Sequence, residues 1–494
     1  MQLLKKIFKY DENNFSLKSE IIGGLITFIS ICYVLPVNAS IMSTIGMNEA
    51  GVFAVTAILS AFICILMGLI ANYPLVLTAG MGLNAYVAYS MSNVLYTTWQ
   101  QKMIFLTIAG LVFFVLSLTP VRQKIVDIIP DNVKKLISVA VGSFIIFVGF
   151  SNSGLVVYDA STIVKLGNFL DPAAFIAFLT TFLCIGLTFS KNKILKIFAI
   201  PIAVLVATIL GVIVSSILIA NNNLVFENEI SQWIYKDCYL EFNKVFLPIA
   251  PWFDKTSKFG IDLLSIKKVF MLGVFDGYSS DLFVNDLLNV LKTPLTYFSM
   301  FSVLFVNLFN TTASTYTVGK AIGKVDENGK ISGFKRVAFV DSLGAMLSGP
   351  FGTSLVTSYQ ESYVSVSVGA KTGISSIVSG LLFGASLLIY PVFSMFTAGS
   401  AIACALISVG LIIIFNTIKE VDFKDPVIVF SFILTILVSS ITYSITSGLG
   451  FGIIAYIIGM LISKKKEEVN LTIIIVGVLF LISFLLESLT PLIK

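Results

Sequence analysis

Gly352-Thr353-Ser354-Leu355-Val356-Thr357-Ser358-Tyr359-Gln360-Glu361-Ser362 follows directly on Ser348-Gly349-Pro350, in a region that is otherwise mostly hydrocarbon. The glycines and the proline rule out a plain helix through this point. Irregular backbone at bilayer depth is tolerated only where it is buried in protein or lines a cavity. Glu361 places a carboxyl group inside that break. Charge at such depth costs several kcal/mol, so an intramembrane acid is a candidate functional site by default. The bland alternative is that Glu361 caps a helix end near the interface. A broken segment with a lone acid has the pattern of a transporter's substrate site.

Working outward, 57% of the 494 residues are hydrophobic and 12% are charged. Apolar runs approach or exceed the ~20 residues that cross a bilayer, and strand-like alternation is absent. The fold class is therefore an all-α polytopic membrane protein. No cleavable signal peptide is expected, because Met1–Glu20 is polar and lysine-bearing and runs straight into the first apolar stretch. The net charge of +5 is no nucleic-acid signature. Its lysines and arginines fall in short loops, where they set orientation in the membrane. With no histidine in the chain, a histidine proton relay or histidine metal site is excluded. Cys32, Cys64, Cys184, Cys238 and Cys404 are scattered without metal-ligand spacing and read as small apolar fillers. No cofactor is implied.

Basic loops place the N-terminus in the cytoplasm of a plasma (inner) membrane protein and order about fourteen spans. In chain order these lie near 21–45, 50–71, the interrupted segment 72–86, 103–119, 134–152, 172–190, 197–220, 295–319, 337–349, the Glu361 segment, 373–394, 400–417, and two within 427–463 broken at Ser447-Gly448. Lys102 and Lys165 fall in short outside loops. A polar insert, 221–292, is placed outside, with Asp276, Asp281 and Asp286 as solvated surface. The apolar run at 470–490 either spans the membrane or lies in its interface.

The third and tenth spans match. Asn72-Tyr73-Pro74-Leu75-Val76-Leu77-Thr78-Ala79-Gly80-Met81-Gly82-Leu83-Asn84-Ala85-Tyr86 is broken by proline and glycine as the Glu361 segment is. The two cross the membrane in opposite senses, which gives a 7+7 inverted repeat. Paired, Gly/Pro-broken segments in two halves are the best sequence pointer to a transporter's binding site, with half-helix ends and backbone polar groups facing the solute.

The local sequences resemble one family. Ala79-Gly80-Met81-Gly82-Leu83-Asn84-Ala85-Tyr86, Gly352 to Ser362 and Lys371-Thr372-Gly373 are similar to the azaguanine-type purine permeases, a branch of the nucleobase/ascorbate (xanthine/uracil permease) transporters. Thr27-Phe28 to Asn38, Ala71-Asn72-Tyr73-Pro74 and Thr442-Tyr443-Ser444-Ile445 with Gly448 add to the likeness, which covers nearly the whole chain except the insert. The resemblance implies a core domain (21–120 and 293–394), a gate domain (121–220 and 395–466), and a homodimer as one possible assembly. Residues 1–20 would then be a cytoplasmic terminus and 467–494 an extra hydrophobic segment.

It also implies proton-coupled symport of hypoxanthine, guanine or adenine. Family positions then fall on Glu361, Asn84 and Thr27, with Gly82, Phe309, Thr311 and Tyr359 beside them as substrate-binding candidates. A family aspartate, in a Phe-Asp-Thr-x-Gly-Thr pattern, falls on Asn310, because this chain reads Phe309-Asn310-Thr311-Thr312-Ala313-Ser314. Asn307 likewise replaces an acid, and Ser365 a glycine. Asparagine keeps a carbonyl acceptor and adds two donors but carries no proton. Glu361 is then the proton-coupling candidate. Asp341 is a second, which could equally cap a helix end or contact Arg336. Competing functions are a uracil- or xanthine-type carrier, an anion transporter of the same fold, and a membrane enzyme. The last needs clustered acids, histidine or a metal site, and the chain has none of that spacing.

Overall fold

The computed structural model describes residues 8, 16–91, 96, 98–120, 122, 128–220, 269, 280–326, 330–390, 393 and 399–493. Most of the expected insert, Asp276 included, lies outside the described residues.

The first span is a helix interrupted in its middle, α1 (Leu17–Ile31) and α2 (Val34–Ser43). Pro36 explains the break, since it has no N–H to give the Cys32 carbonyl four residues back. Next come α3 (Glu49–Leu66), a π-helical turn (Met67–Ala71), β1 (Leu77–Ala79), α4 (Met81–Ala85), a second π-turn (Tyr86–Ser90) and α5 (Trp99–Leu118). α6 (Asp131–Asn152) leads through a hairpin, β2 (Val156–Asp159) and β3 (Ile163–Leu166), to α7 (Pro172–Thr188), α8 (Lys193–Ile197) and α9 (Ala199–Ala220). The second half holds α10 (Ser280–Lys292), α11 (Pro294–Ala321), α12 (Phe334–Phe351), β4 (Val356–Ser358), a 3-10 turn (Gln360–Ser362) and α13 (Tyr363–Ser367). It closes with α14 (Ile374–Ala385), α15 (Gly399–Ile418), α16 (Pro426–Ile441), α17 (Ile445–Ile462) and α18 (Leu471–Ile493).

Among the described residues, six helices are long and apolar enough to cross a membrane, and five more apolar helices are shorter. Polar caps fix several ends. Thr98, Asp171, Asp425 and Ser444 each accept a hydrogen bond from a first-turn N–H, and Pro172 and Pro426 sit at the first helical position, where no N–H is needed. α5 packs on α12, and α14 on α1 and α3; separately, α6 packs on α15 and α16, and α7 on α9.

The chain is helical in class yet contains two short antiparallel strand pairs, β1–β4 and β2–β3, too short for alternation to reveal. Two boundaries also differ from expectation. The last hairpin turns at Thr442–Ser444, where Tyr443 is left-handed (φ 54°), rather than at Ser447-Gly448. Gly448 lies inside α17 because a Cβ there would strike the Ser439 hydroxyl of α16. Lys102 is not in a loop. It lies in α5, buried, with Nζ donating to the Val87 carbonyl at 3.1 Å.

Candidate functional site

The two interrupted segments meet at their strands. Leu77 pairs with Ser358, Thr78 with Thr357 and Ala79 with Val356. Gly80 N–H to Leu355 C=O (2.9 Å) and Tyr359 N–H to Val76 C=O (3.0 Å) extend the pairing at either end. The Ser-Gly-Pro-x-Gly lead-in explains how the chain arrives there. Pro350 falls in the last turn of α12, and Gly352 follows with φ +76°, a left-handed cap in which its N–H returns to the Gly349 carbonyl. Any side chain at Gly352 would also collide with the Val269 carbonyl. The backbone therefore leaves the helix extended, pairs, and re-forms a helical turn at Gln360.

A network of amides and hydroxyls locks one side of the crossing. Asn38 donates to Thr56 and Thr353 (both 3.0 Å) and accepts from Asn84 (3.2 Å) and Ser354 (3.1 Å). Its amide thus joins the first span, α3 and both broken segments. All five groups are buried. Asn84 retains a sealed carbonyl oxygen with no partner among the described residues.

On the other side, Asn310 of α11 donates to the Thr357 hydroxyl (3.1 Å), and Ser314 shares a hydrogen bond with Ser358. Asn307, one turn earlier on α11, is buried with neither amide atom partnered among the described residues. Tyr359 donates to the Ala79 carbonyl and so ties the second segment to the first.

Glu361 sits in the 3-10 turn just past the crossing, half-buried. Among the described residues no lysine or arginine lies within ion-pair distance of its carboxylate, and its electrostatic neighbours are the hydroxyls of Tyr33 and Tyr359. A carboxylate so placed can accept N–H groups from a solute.

Asp341 has a different setting. Its Oδ2 accepts from Arg122 Nη2 at 2.9 Å and its Oδ1 from the Thr311 hydroxyl at 2.9 Å, with both members of the ion pair fully buried. The partner is Arg122, not Arg336, and Asp341 caps no helix end because it lies in the middle of α12. Arg122 also donates to Ser117 and the Ala338 carbonyl, and its guanidinium lies 4.5 Å from the Phe113 ring centre.

The Permease family profile, that of the xanthine/uracil permeases, matches residues 18–448. The chain belongs to that family. It is a transporter of solute rather than an enzyme. This permease is 31% identical to the guanine/hypoxanthine permease PbuG of Bacillus subtilis, with 98% of this chain and 99% of that one covered. It is 28% identical to the adenine permease AdeP of Escherichia coli over 97% and 95% of the two chains, and 29% identical to the putative permease MJ0326 of Methanocaldococcus jannaschii over 99% of each. Its fold is also that of anion carriers. The transmembrane domain of a cyanobacterial bicarbonate transporter, BicA, superposes with a TM-score of 0.55 at 12% identity, covering 86% of this chain and 97% of that one. Murine Solute Carrier 26 family member A9, an inward-facing anion transporter, gives 0.53 at 10% identity, covering 93% and 71%.

Other residues singled out in the permease sequence have structural surroundings. Thr27 bonds back to the Gly23 carbonyl within α1. Phe309 stacks edge-on against Phe305 along α11, at 4.9 Å. Gly82 lets α4 approach α6, since a Cβ would come within 2.6 Å of Val141. Asp286 is no free surface acid; it accepts from Gln101 at 2.7 Å and holds α10 to α5. The central role of Asn38 and the position of Tyr33 had little sequence signal. Each is a lone polar group in an apolar run flanking Pro36.

Proposed function

We propose that this permease imports purine nucleobases (hypoxanthine, guanine or adenine) by alternating access, with Glu361 at the centre of the substrate site. One observation carries the proposal: a half-buried carboxylate beside the strand crossing that has no cation to neutralise it among the described residues. Amide N–H groups on the edge of a base are the complementary ligand. Asn310 and Asn84 offer both donors and acceptors, as a purine edge requires. The purines named for the relatives support the same substrate class.

The remainder follows from the repeat. Fourteen spans, with the N-terminus in the cytoplasm, form a core domain (21–120 and 293–394) that carries both broken segments and moves against a gate domain (121–220 and 395–466). Once water is excluded, each lost hydrogen bond costs about 1–3 kcal/mol, and this selects the base. Glu361 takes a proton on the outside and releases it inside, coupling uptake to the proton gradient. Asp341 is spoken for by Arg122 and leaves that task to Glu361.

An anion carrier of the same fold would need positive charge at the crossing. Segments 72–91, 294–319 and 350–367 contain no lysine or arginine. The test is uptake of labelled hypoxanthine, guanine, adenine and uracil by cells lacking their own nucleobase permeases, with and without an uncoupler. Saturable purine uptake that collapses with the uncoupler is the expected result. Uptake of no base would overturn the substrate class, and uptake indifferent to the uncoupler would overturn the coupling alone.

A further inference from the structure

Tyr33 stands at the break of the first span, between α1 and α2. α1 packs against the 3-10 turn that carries Glu361. The Tyr33 ring is buried, and its hydroxyl oxygen is sealed from solvent without a hydrogen-bond partner. Buried tyrosine hydroxyls nearly always find one. Its electrostatic neighbours are Glu361 first and Tyr359 second, followed by Cys184 of α7 and the adjacent Cys32. Tyr359 spends its own proton on the Ala79 carbonyl. Tyr33 is therefore the hydroxyl beside Glu361 whose donor capacity nothing in the described protein uses.

A packing role alone would be met by phenylalanine, which fills the same space with no stranded oxygen. Leaving a polar group unmade in a dry interior costs free energy, and ligand contact is the way such a group is repaid. The hydroxyl can donate where the carboxylate beside it can only accept. Carried on adjoining elements, the two can present an acceptor and a donor to one solute. An N–H next to a C=O, as on the six-membered ring of an oxopurine, matches that order.

We infer that Tyr33 is a specificity residue of the substrate site: its hydroxyl donates to the ring carbonyl next to the N–H that Glu361 accepts, so that it favours 6-oxopurines. This rests on the nucleobase proposal and sharpens it.

The experiment measures binding of hypoxanthine and of 6-thiopurine, which keeps the ring N–H but carries a weakly accepting sulfur in place of the carbonyl oxygen, to the purified full-length protein in lipid nanodiscs. Wild type, Tyr33→Phe and Glu361→Gln are compared, with a thermal melt to confirm folding. Tyr33→Phe should weaken hypoxanthine by about 10-fold and change 6-thiopurine by less than about 2-fold, as expected for one lost hydrogen bond to a substrate group. Equal weakening of both ligands would make Tyr33 a packing residue and overturn the inference. So would unchanged binding of both, while loss of hypoxanthine in Glu361→Gln left the site itself standing. Failure of the folded wild type to bind either ligand would overturn the nucleobase proposal, and this inference with it.

Discussion

Asp341 and Glu361 are both acids in an apolar interior, twenty residues apart, and the chain treats them oppositely. Asp341 has every advantage a buried charge can have: a guanidinium at 2.9 Å, a hydroxyl at 2.9 Å and complete enclosure. Glu361 has no lysine or arginine within ion-pair distance among the described residues and stands half-buried beside broken backbone. The difference separates a charge that holds the protein together from one held ready for something else. Depth in the membrane does not distinguish the two; partners do.

The sharpest way to break this contrast is to remove one partner at a time. Asp341→Asn leaves Arg122 charged, buried and unpaired, and should destabilise the protein by about 3–5 kcal/mol, seen as lost expression or a lowered melting temperature in detergent. The double replacement Arg122→Met with Asp341→Leu should recover much of that loss, because a well-packed apolar pair avoids desolvating two charges. If Asp341→Asn melts like the wild type, the ion pair is not structural.

Glu361→Gln should do the reverse. It removes a charge that no cation among the described residues balances, so the melting temperature should hold or rise. Purine uptake should fall by about 100-fold, the worth of charge-assisted bonds to the base. A variant that melts early instead would place Glu361 with Asp341 as a structural acid.

A smaller effect is expected at the amide network. Asn38→Ala takes the acceptor from the Asn84 amide and the Ser354 hydroxyl, while Thr56 and Thr353 keep their bond to each other, at a cost of about 2 kcal/mol in stability. Uptake should weaken with it, since Asn38 links both broken segments. The smallest concerns an exposed ion pair, Asp425 with Lys465 at 2.6 Å. The Lys465 hydrogen bond holds the Asp425 carboxyl below its ordinary value of 3.8. A depressed carboxyl contributes stability above its ordinary range and loses it as the pH falls through the lowered value. Lys465→Ala should therefore lower the melting temperature slightly at neutral pH, flatten the acid limb of the curve, and leave the lowest pH unchanged. Exposed pairs are screened as buried ones are not.

Much of the architecture was legible in the sequence because it is written in local terms. Apolar runs mark the helices, and proline with glycine marks both breaks to within a few residues. Glu361 stood out because an acid in hydrocarbon is costly wherever it lies. What escaped depends on partners far away in the chain. The bond between Arg122 and Asp341 joins residues 219 apart, and nothing near Asp341 announces it; the nearby Arg336 misled. Lys102 looked like a loop residue because charge alone cannot say that α5 begins before it. The three-residue strands are too short for a period of two to be heard. Gly82, placed in the site by likeness, also gives α4 its close contact with α6, and a glycine's sequence context does not say which neighbour needs the room.

The Arg122–Asp341 pair has a consequence for heredity. Its two members are encoded far apart, yet each is tolerable only with the other present. A recombination event that joined the first half of this gene to the second half of a relative lacking the acid would produce a carrier with a stranded guanidinium. Viable crossovers with such relatives must leave both codons on the same parental side. Anyone building chimaeras to map substrate choice should cut before residue 122 or after residue 341, and move the intervening stretch as one block.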